Sequence, residues 1–355
     1  MSNFGFPEGT LVLVLDGWKP IETIKVGDQC ITYCKDKNIL VQGVVEGTLS
    51  NDSSALIKAT HTHLEFVCGK DQKWFGWKRV WAKKGLPRPK KHLEFTLSET
   101  TQDYNITCSA EYVGGENKDV SPEDAALLGW LLSDGYYKWK PDTKNTSSSF
   151  GKKRGVTGMI AQAQHKFYKE VEEVIEDVGL EYTMHEDSTG VKTSPVNKYH
   201  FKSAGFRSFM DRVVKERLPK NDINWTRHII GYSKPALYQY LYNFWLADGD
   251  TKGCTFLKGG TKITQNFGTV SESILLSMFL QGRRVSQVEK DSEGKCKTLR
   301  MLRSGHVTMQ EIKKEDVGSS RTYDLNTSEG SYIIRQGDHI SITCTSYNKE
   351  PTNDQ

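Results

Sequence analysis

The chain has 355 residues, 36% of them hydrophobic and 26% charged, with a formal net charge of +4. That length calls for two or three domains, and the composition excludes a largely disordered chain. It contains no apolar run of membrane-spanning length, its first residues do not read as a secretory signal, and seven scattered cysteines make no disulfide framework; the expected setting is intracellular, cytoplasmic and reducing.

Residues 10–15 are β-branched and aliphatic and close on Asp16-Gly17, a strong turn signal. Residues 21–31 hold a second turn at Val26-Gly27-Asp28, and 41–45 and 55–67 continue the short-strand pattern, so the first region is expected to be all-β. Residues 73–92 interleave eight cations with Trp74, Phe75, Trp77 and Trp81. Such a mix suits phosphate pairing and base stacking, with Lys83, Lys84, Lys90 and Lys91 as candidate DNA contacts. It equally suits a hairpin with a solvated basic face.

From residue 121 the texture turns helical. Ser121-Pro122-Glu123-Asp124 supplies a cap, Pro at the first helical position and acids in the first turn. The apolar stretch that follows ends on Asp134-Gly135, and a second, at 241–249, ends on Asp248-Gly249. Downstream elements repeat as well. Ile160-Ala161-Gln162 precedes a helix expected over 165–178 that stops at Gly179, and Ile263-Thr264-Gln265 precedes one over 269–280 that stops at Gly282. Both Gln-to-Gly steps are 17 residues long, which marks an internal duplication. After about 305 the strand texture returns at 323–325, 331–334 and 340–343, and the tail beyond 346 is polar.

An apolar helix pair needs small residues at its crossing, and Gly129, Ser133 and Ala247 provide them. Packed about a pseudo-twofold axis, the two helices bring Asp134 and Asp248 together at their C-terminal ends. Adjacent carboxylates repel unless a divalent cation bridges them, and oxygen ligands favour Mg²⁺. Paired carboxylates with shared metals stabilise in-line attack at a phosphodiester. A single Asp-Gly is only a helix stop; two inside matched repeats point to a site.

The segments 127–135 and 241–249 resemble the paired motif of the LAGLIDADG homing endonucleases, over roughly 119–304. The resemblance implies two αββαββα halves whose sheets bind double-stranded DNA with a long target site, in a monomer with internal pseudo-symmetry. It implies Asp134 and Asp248 as metal-binding catalytic acids, with Gly135 and Gly249 beside them at the metal. Gln162 and Gln265 fall near the family's strand-borne polar residues. Its catalytic lysine precedes the Leu218-Pro219 segment, where Lys215 or Arg217 stands. Asn243 replaces the usual Gly and is expected to loosen the helix packing.

The β regions resemble the Hint fold of inteins. Gly5-Phe6-Pro7-Glu8-Gly9-Thr10 is similar to an intein start, Thr60-His61-Thr62-His63 fits Thr-x-x-His, and Thr322-Tyr323-Asp324-Leu325 with 331–343 is similar to the closing strands. Thr60 and His63 would then polarise a scissile peptide, and Cys344 occupies the place of the first host residue. Splicing needs a thiol or hydroxyl at its first residue, where Gly5 stands, and a terminal Asn, which is missing before Cys344. Gly5, Thr60, His63, Asp324 and Cys344 therefore read as a vestigial splicing set.

The expected fold is α+β: an all-β Hint domain (1–118 and 305–346) interrupted by a pseudo-twofold endonuclease domain (119–304), with 347–355 as a polar tail. The expected function is a Mg²⁺-dependent, site-specific DNA endonuclease in a splicing-inactive intein. A splicing element with a non-cleaving, DNA-binding domain is the alternative.

Overall fold

Turn chemistry sets the first hairpin. Strand Leu11–Val14 reverses through Asp16 to pair antiparallel with Gly17–Pro20, and Gly17 adopts φ +105°, a conformation that favours glycine. The computed structural model describes residues 3–62, 64–78, 92–97, 104–115, 117, 119–139, 156–188, 194–251, 255–257, 260–290, 296–302 and 304–346. His63, Lys83, Lys84, Lys90, Lys91 and the polar tail lie outside them.

The chain forms a mixed α/β structure with antiparallel sheets, divided into two compact units. One comprises Met1–Val113, Met278–Val288 and Arg300–Gln355; the other comprises Gly114–Ser277 and Glu289–Leu299. None of the described helices is long and apolar enough to cross a membrane.

The first unit is built around strand Ile39–His61, which pairs antiparallel with Lys313–Thr327. Three register shifts along that pair mark irregularities that bend it. Asn51-Asp52-Ser53-Ser54 reads locally as a loop, yet it stays in strand because its partner satisfies its backbone. Phe6, Phe66, Trp74 and Tyr332 lie in one buried core, with Phe6 edge-on to both Trp74 (6.1 Å) and Tyr332 (6.2 Å).

The second unit begins as the cap signal foretold. Helix α1, Pro122–Ser133, has the Ser121 hydroxyl accepting from the Asp124 amide at 3.0 Å while the Asp124 carboxylate accepts from the Ser121 amide. Arg212 donates to both Asp124 oxygens, so this carboxylate is fully engaged. Strands Gly135–Trp139, Val156–Ala163, Val196–Phe201 and Tyr182–Asp187 follow one another across a four-stranded sheet. Helices α2 (Tyr168–Asp177) and α3 (Ser203–Val213) complete this half. A Cβ on Gly158 would sit 2.2 Å from the Phe206 ring, so this strand position lets α3 lie close against the sheet.

After α4 (Trp225–Gly231), helix α5 (Lys234–Asp248) repeats α1, and α6 (Thr269–Leu280) repeats α2. Gly179 and Gly282, at φ +72° and +73°, take the left-handed conformation that stops each repeat's second helix. The second repeat is shorter. Among the described residues its sheet has three strands, Lys262–Asn266, Cys296–Met301 and Val285–Lys290. Where Gly135 opens a full strand against Val156–Ala163, Gly249 makes one isolated bridge to Ile263.

Helices α1 and α5 pack on each other. Their backbones approach tightly at Gly129, where a Cβ would stand 2.6 Å from the Tyr240 carbonyl oxygen and 3.1 Å from the Phe244 nitrogen. Asn243 does not loosen this seam. Its Oδ1 accepts the Trp130 indole N–H at 2.8 Å, and its amide donates to the Gln239 carbonyl at 2.9 Å. The extra volume is used to satisfy a buried indole that a glycine there would leave unpaired.

Candidate active site

Each helix of the α1/α5 pair delivers one carboxylate. Asp134 is the C-cap of α1, its amide bonded to the Trp130 carbonyl at 3.1 Å, and Asp248 is the last residue of α5. The glycines behind them have no room for a side chain. A Cβ would stand 2.5 Å from the Leu131 oxygen at Gly135 and 2.2 Å from the Trp245 ring at Gly249. These two positions let the chain leave the helix at once and hold the aspartate at the turn.

Strand periodicity then adds a second residue to each corner. In Val156–Ala163, alternate residues Val156, Gly158, Ile160 and Gln162 are buried, so Gln162 lies on the inward face. Its Nε2 donates to Asp134 Oδ2 at 2.9 Å, and its Oε1 accepts from the Ala163 amide at 2.9 Å. The other half repeats the pattern: Gln265 Nε2 donates to Asp248 Oδ2 at 3.0 Å, and its Oε1 accepts from the Asn266 amide at 2.9 Å. The duplication is thus carried down to hydrogen-bond geometry.

Both carboxylates are half-buried, and burial raises both pKa values. Asp134 is raised against the opposing pull of Lys166, Gln162 and Lys220. Asp248 is pushed up to about 6, first by burial and then by repulsion from Asp134, against Lys220, Lys166 and Gln265. The two acids therefore sense each other across the helix pair.

Two lysines act on both acids, the exposed Lys166 and the more buried Lys220. Burial holds the Lys220 ammonium below the ordinary lysine range, while Asp248 and then Asp134 pull it upward. Its position is fixed from behind by Trp225, a fully buried residue whose indole donates to the Lys220 carbonyl at 2.8 Å. Lys215 is placed elsewhere: its ammonium pairs with Asp119 at 3.0 Å, with both side chains largely exposed. Arg217 lies 3.7 Å from Asp211 and 5.6 Å from the Trp139 ring centroid. Lys220 follows Leu218-Pro219 instead of preceding it.

The donor set fits a divalent cation. Two partly desolvated carboxylates lie near two lysines, Lys166 and Lys220, and burial disfavours the charge of Lys220. No group of three or more His, Cys, Asp or Glu side chains suited to a metal occurs among the described residues. Asp134 and Asp248 would supply two of the oxygen ligands of a divalent cation, with carbonyls, water or phosphate left to complete the shell.

The first unit gathers a different set of polar groups. Gly5 adopts φ +87°, and a Cβ there would stand 2.5 Å from the Tyr323 carbonyl oxygen. Its amide donates to Gln72 Oε1 at 2.8 Å, while Gln72 Nε2 donates to the Cys344 carbonyl at 2.8 Å and to Thr343 Oγ1 at 2.9 Å. Cys344 is buried, and burial pushes its thiol pKa well up. Asp324 is fully buried and pushed up to about 6 by that burial. It accepts from the Tyr332 hydroxyl, the Leu325 amide (2.9 Å) and the Ser346 amide (2.8 Å).

Thr60 stands apart from this cluster. It pairs with Glu65 and Lys313, at the opposite end of strand Leu64–Gly69 from the Gly69 amide that bonds the Gly5 carbonyl. Sequence reasoning missed Gln72, the residue that links the two segments; a buried glutamine beside a Gly69–Asp71 turn gives little signal on its own.

A comparison with protein-family models finds no match, and a comparison with curated protein sequences finds none either. Among solved structures, the chain is similar to the homing endonuclease I-DmoI in complex with DNA and manganese, at 15% identity over 51% of this chain and 89% of that chain, with a TM-score of 0.32. It is similar to the meganuclease I-SmaMI bound to uncleavable DNA, at 12% identity over 50% and 78% of the two chains, with a TM-score of 0.32. It is also similar to full-length DUF199/WhiA from Thermatoga maritima, at 10% identity over 52% of each chain, with a TM-score of 0.29. Overlaps this loose carry no argument about function, so the functional reading rests on the site geometry.

Proposed function

We propose that the chain is a divalent-metal-dependent, site-specific double-strand DNA endonuclease of LAGLIDADG type, carried within a Hint-type β domain that no longer splices. One observation carries the nuclease reading: two Asp–Gln corners, Asp134–Gln162 and Asp248–Gln265, repeat the same hydrogen bonds, and both carboxylates act on Lys220. Two corners suit two strands. Asp134 and Asp248 would hold the cation, with the backbone at Gly135 and Gly249 beside them, and Mg²⁺ is the ion this chemistry favours. When bound, the cation supplies charge stabilisation at the scissile phosphate and activates water. Gln162 and Gln265 fix the carboxylate rotamers. Lys220 sets its positive charge near the acids, where phosphate charge develops.

The Hint reading is supported by the meeting of Gly5, Cys344 and Asp324 around Gln72 and Ser346. Gly5 supplies no nucleophile, and its conformation disfavours one. Incubation with a pool of randomised DNA duplexes and Mg²⁺, followed by sequencing of the ends, tests the nuclease. A recurrent sequence at the cut ends is expected; an uncut pool would contradict the proposal.

A further inference from the structure

Beside the paired acids lies a cleft of about 790 Å³, formed by residues 135–139, 217, 219–221, 265–268 and 270. That volume is in the range of small-ligand sites. None of its described lining residues is a carboxylate. Its cations are Lys138, Arg217 and Lys220, and its aromatic walls are Tyr136, Trp139 and Phe267.

Two of these aromatics are held out in solvent: Tyr136 is 53% exposed and Phe267 is 45% exposed. Two exposed rings lining one cleft offer a surface on which a flat group can stack. Trp139 and Phe267 each already carry a cation near the ring, Arg217 at 5.6 Å and Lys297 at 5.5 Å. Asn221 and Asn266 add amide groups that can both donate and accept.

The residues that line this cleft differ from their counterparts in the duplication. Phe267 lies two residues beyond Gln265; the residue two beyond Gln162 is Gln164, whose amide is bonded to Glu186 at 3.0 Å and Asn197 at 2.8 Å. Tyr136 follows Gly135, whereas Asp250 follows Gly249. The matching positions are thus aromatic on one side and, on the other, acidic or already engaged.

We infer that this cleft holds an unpaired nucleobase of a DNA strand, stacked on Phe267 and Tyr136, with its phosphate on Arg217 and Lys220. Base stacking on aromatics tolerates any sequence, because every base has a π face. The asymmetry gives the two strands of a duplex different surroundings, with one strand opened next to its cut site. The inference rests on the nucleic-acid reading above but needs neither metal nor cleavage.

The test is binding of a single strand by the full chain in EDTA. Fluorescence anisotropy compares oligo(dT) with an abasic oligomer of the same length. The parent is expected to prefer oligo(dT) by about tenfold, the lower part of what one stacked base contributes. Phe267→Ala should erase the preference without lowering Tm, and Phe267→Trp should keep it. If Phe267→Ala unfolds the chain, Phe267→Gln, which installs the residue of the other half, serves in its place. Equal affinity of the parent for both oligomers, or a preference that survives removal of the aromatic ring, would overturn the inference. A chain that cuts duplexes yet shows no preference would fail here while leaving the nuclease standing. A chain that shows the preference yet never cuts would do the reverse.

Discussion

Asp248 and Asp324 carry the same perturbation in different surroundings. Each is pushed up to about 6, and burial is the first cause in both. Asp324 is closed in by three donors, from Tyr332, Leu325 and Ser346. Asp248 has one amide donor, a second carboxylate that repels it and two lysines nearby, Lys166 and Lys220, the latter itself disfavoured by burial. A buried acid that is satisfied by donors belongs to the architecture. A buried acid that another acid repels carries a strain that a bound cation can relieve. A raised pKa alone does not tell the two apart; the partners do.

That contrast can be broken most severely at the paired acids. Asp134→Asn or Asp248→Asn should reduce double-strand cleavage of a selected duplex by at least about 100-fold, as removal of a charge-stabilising group does, while gel-shift affinity for the duplex stays near that of the parent. Cutting at the parental rate by either variant removes that acid from the site. Lys220→Met should also lower the rate, whereas Lys215→Met, whose ammonium pairs with Asp119, should leave it unchanged.

The β unit offers the next largest effect. Gly5→Ala places a Cβ against the Tyr323 carbonyl and forces a side chain into a left-handed conformation. The expected cost is about 1–3 kcal/mol of stability, read from urea unfolding. An unchanged midpoint would mean that the backbone at residue 5 relaxes freely. The chain incubated with thiol should also keep its full mass, since no thioester forms at Gly5.

The two acids themselves can be separated by pH. Both have folded pKa values above the ordinary carboxylate value, so the metal-free fold binds these protons more tightly than the unfolded chain does. Stability in EDTA should therefore rise as pH falls through about 6 towards 4, by up to about 3 kcal/mol for Asp248. Asp248→Asn should remove that share and stabilise the apo protein near neutral pH. Asp324→Asn should destabilise it, because an amide would turn a donor towards groups that already donate. Saturating Mg²⁺ should blunt the Asp248 response, since proton and cation compete for one carboxylate. Thermal melts of the three proteins, with and without the metal, read all of these outcomes.

The smallest effect concerns residues outside the described set. Replacing Lys83, Lys84, Lys90 and Lys91 with Ala should flatten the dependence of DNA affinity on salt, by roughly 0.9 in log–log slope for each phosphate that is no longer neutralised. Equal slopes would mark the segment as a solvated face.

Much of the site was legible because local rules and tertiary need agree there. Ser121 and Pro122 start α1, the Asp-Gly pairs end α1 and α5, and strand alternation puts Gln162 and Gln265 on the faces that meet those ends. Lys220 was not legible. Its placement depends on the Trp225 indole behind it, which no spacing reveals, and the nearby Lys215 and Arg217 look equally suitable in sequence. Asn243 misled for a related reason: bulk at a helix seam reads as damage until its hydrogen bond to Trp130 is known. The strand through Asn51-Asp52-Ser53-Ser54 shows pairing with Lys313–Thr327 overriding turn propensity.

The most direct measurement is Mn²⁺ binding, followed by electron paramagnetic resonance in the presence of duplex DNA, for the parent and for Asp134→Asn and Asp248→Asn. If the opposed Asp–Gln corners form one divalent-cation site, the parent should take up Mn²⁺ saturably, with uptake falling as pH drops through about 6, and each variant should lose it. Equal uptake by all three proteins, or none by the parent, would contradict the claim that these two aspartates meet in order to hold a metal.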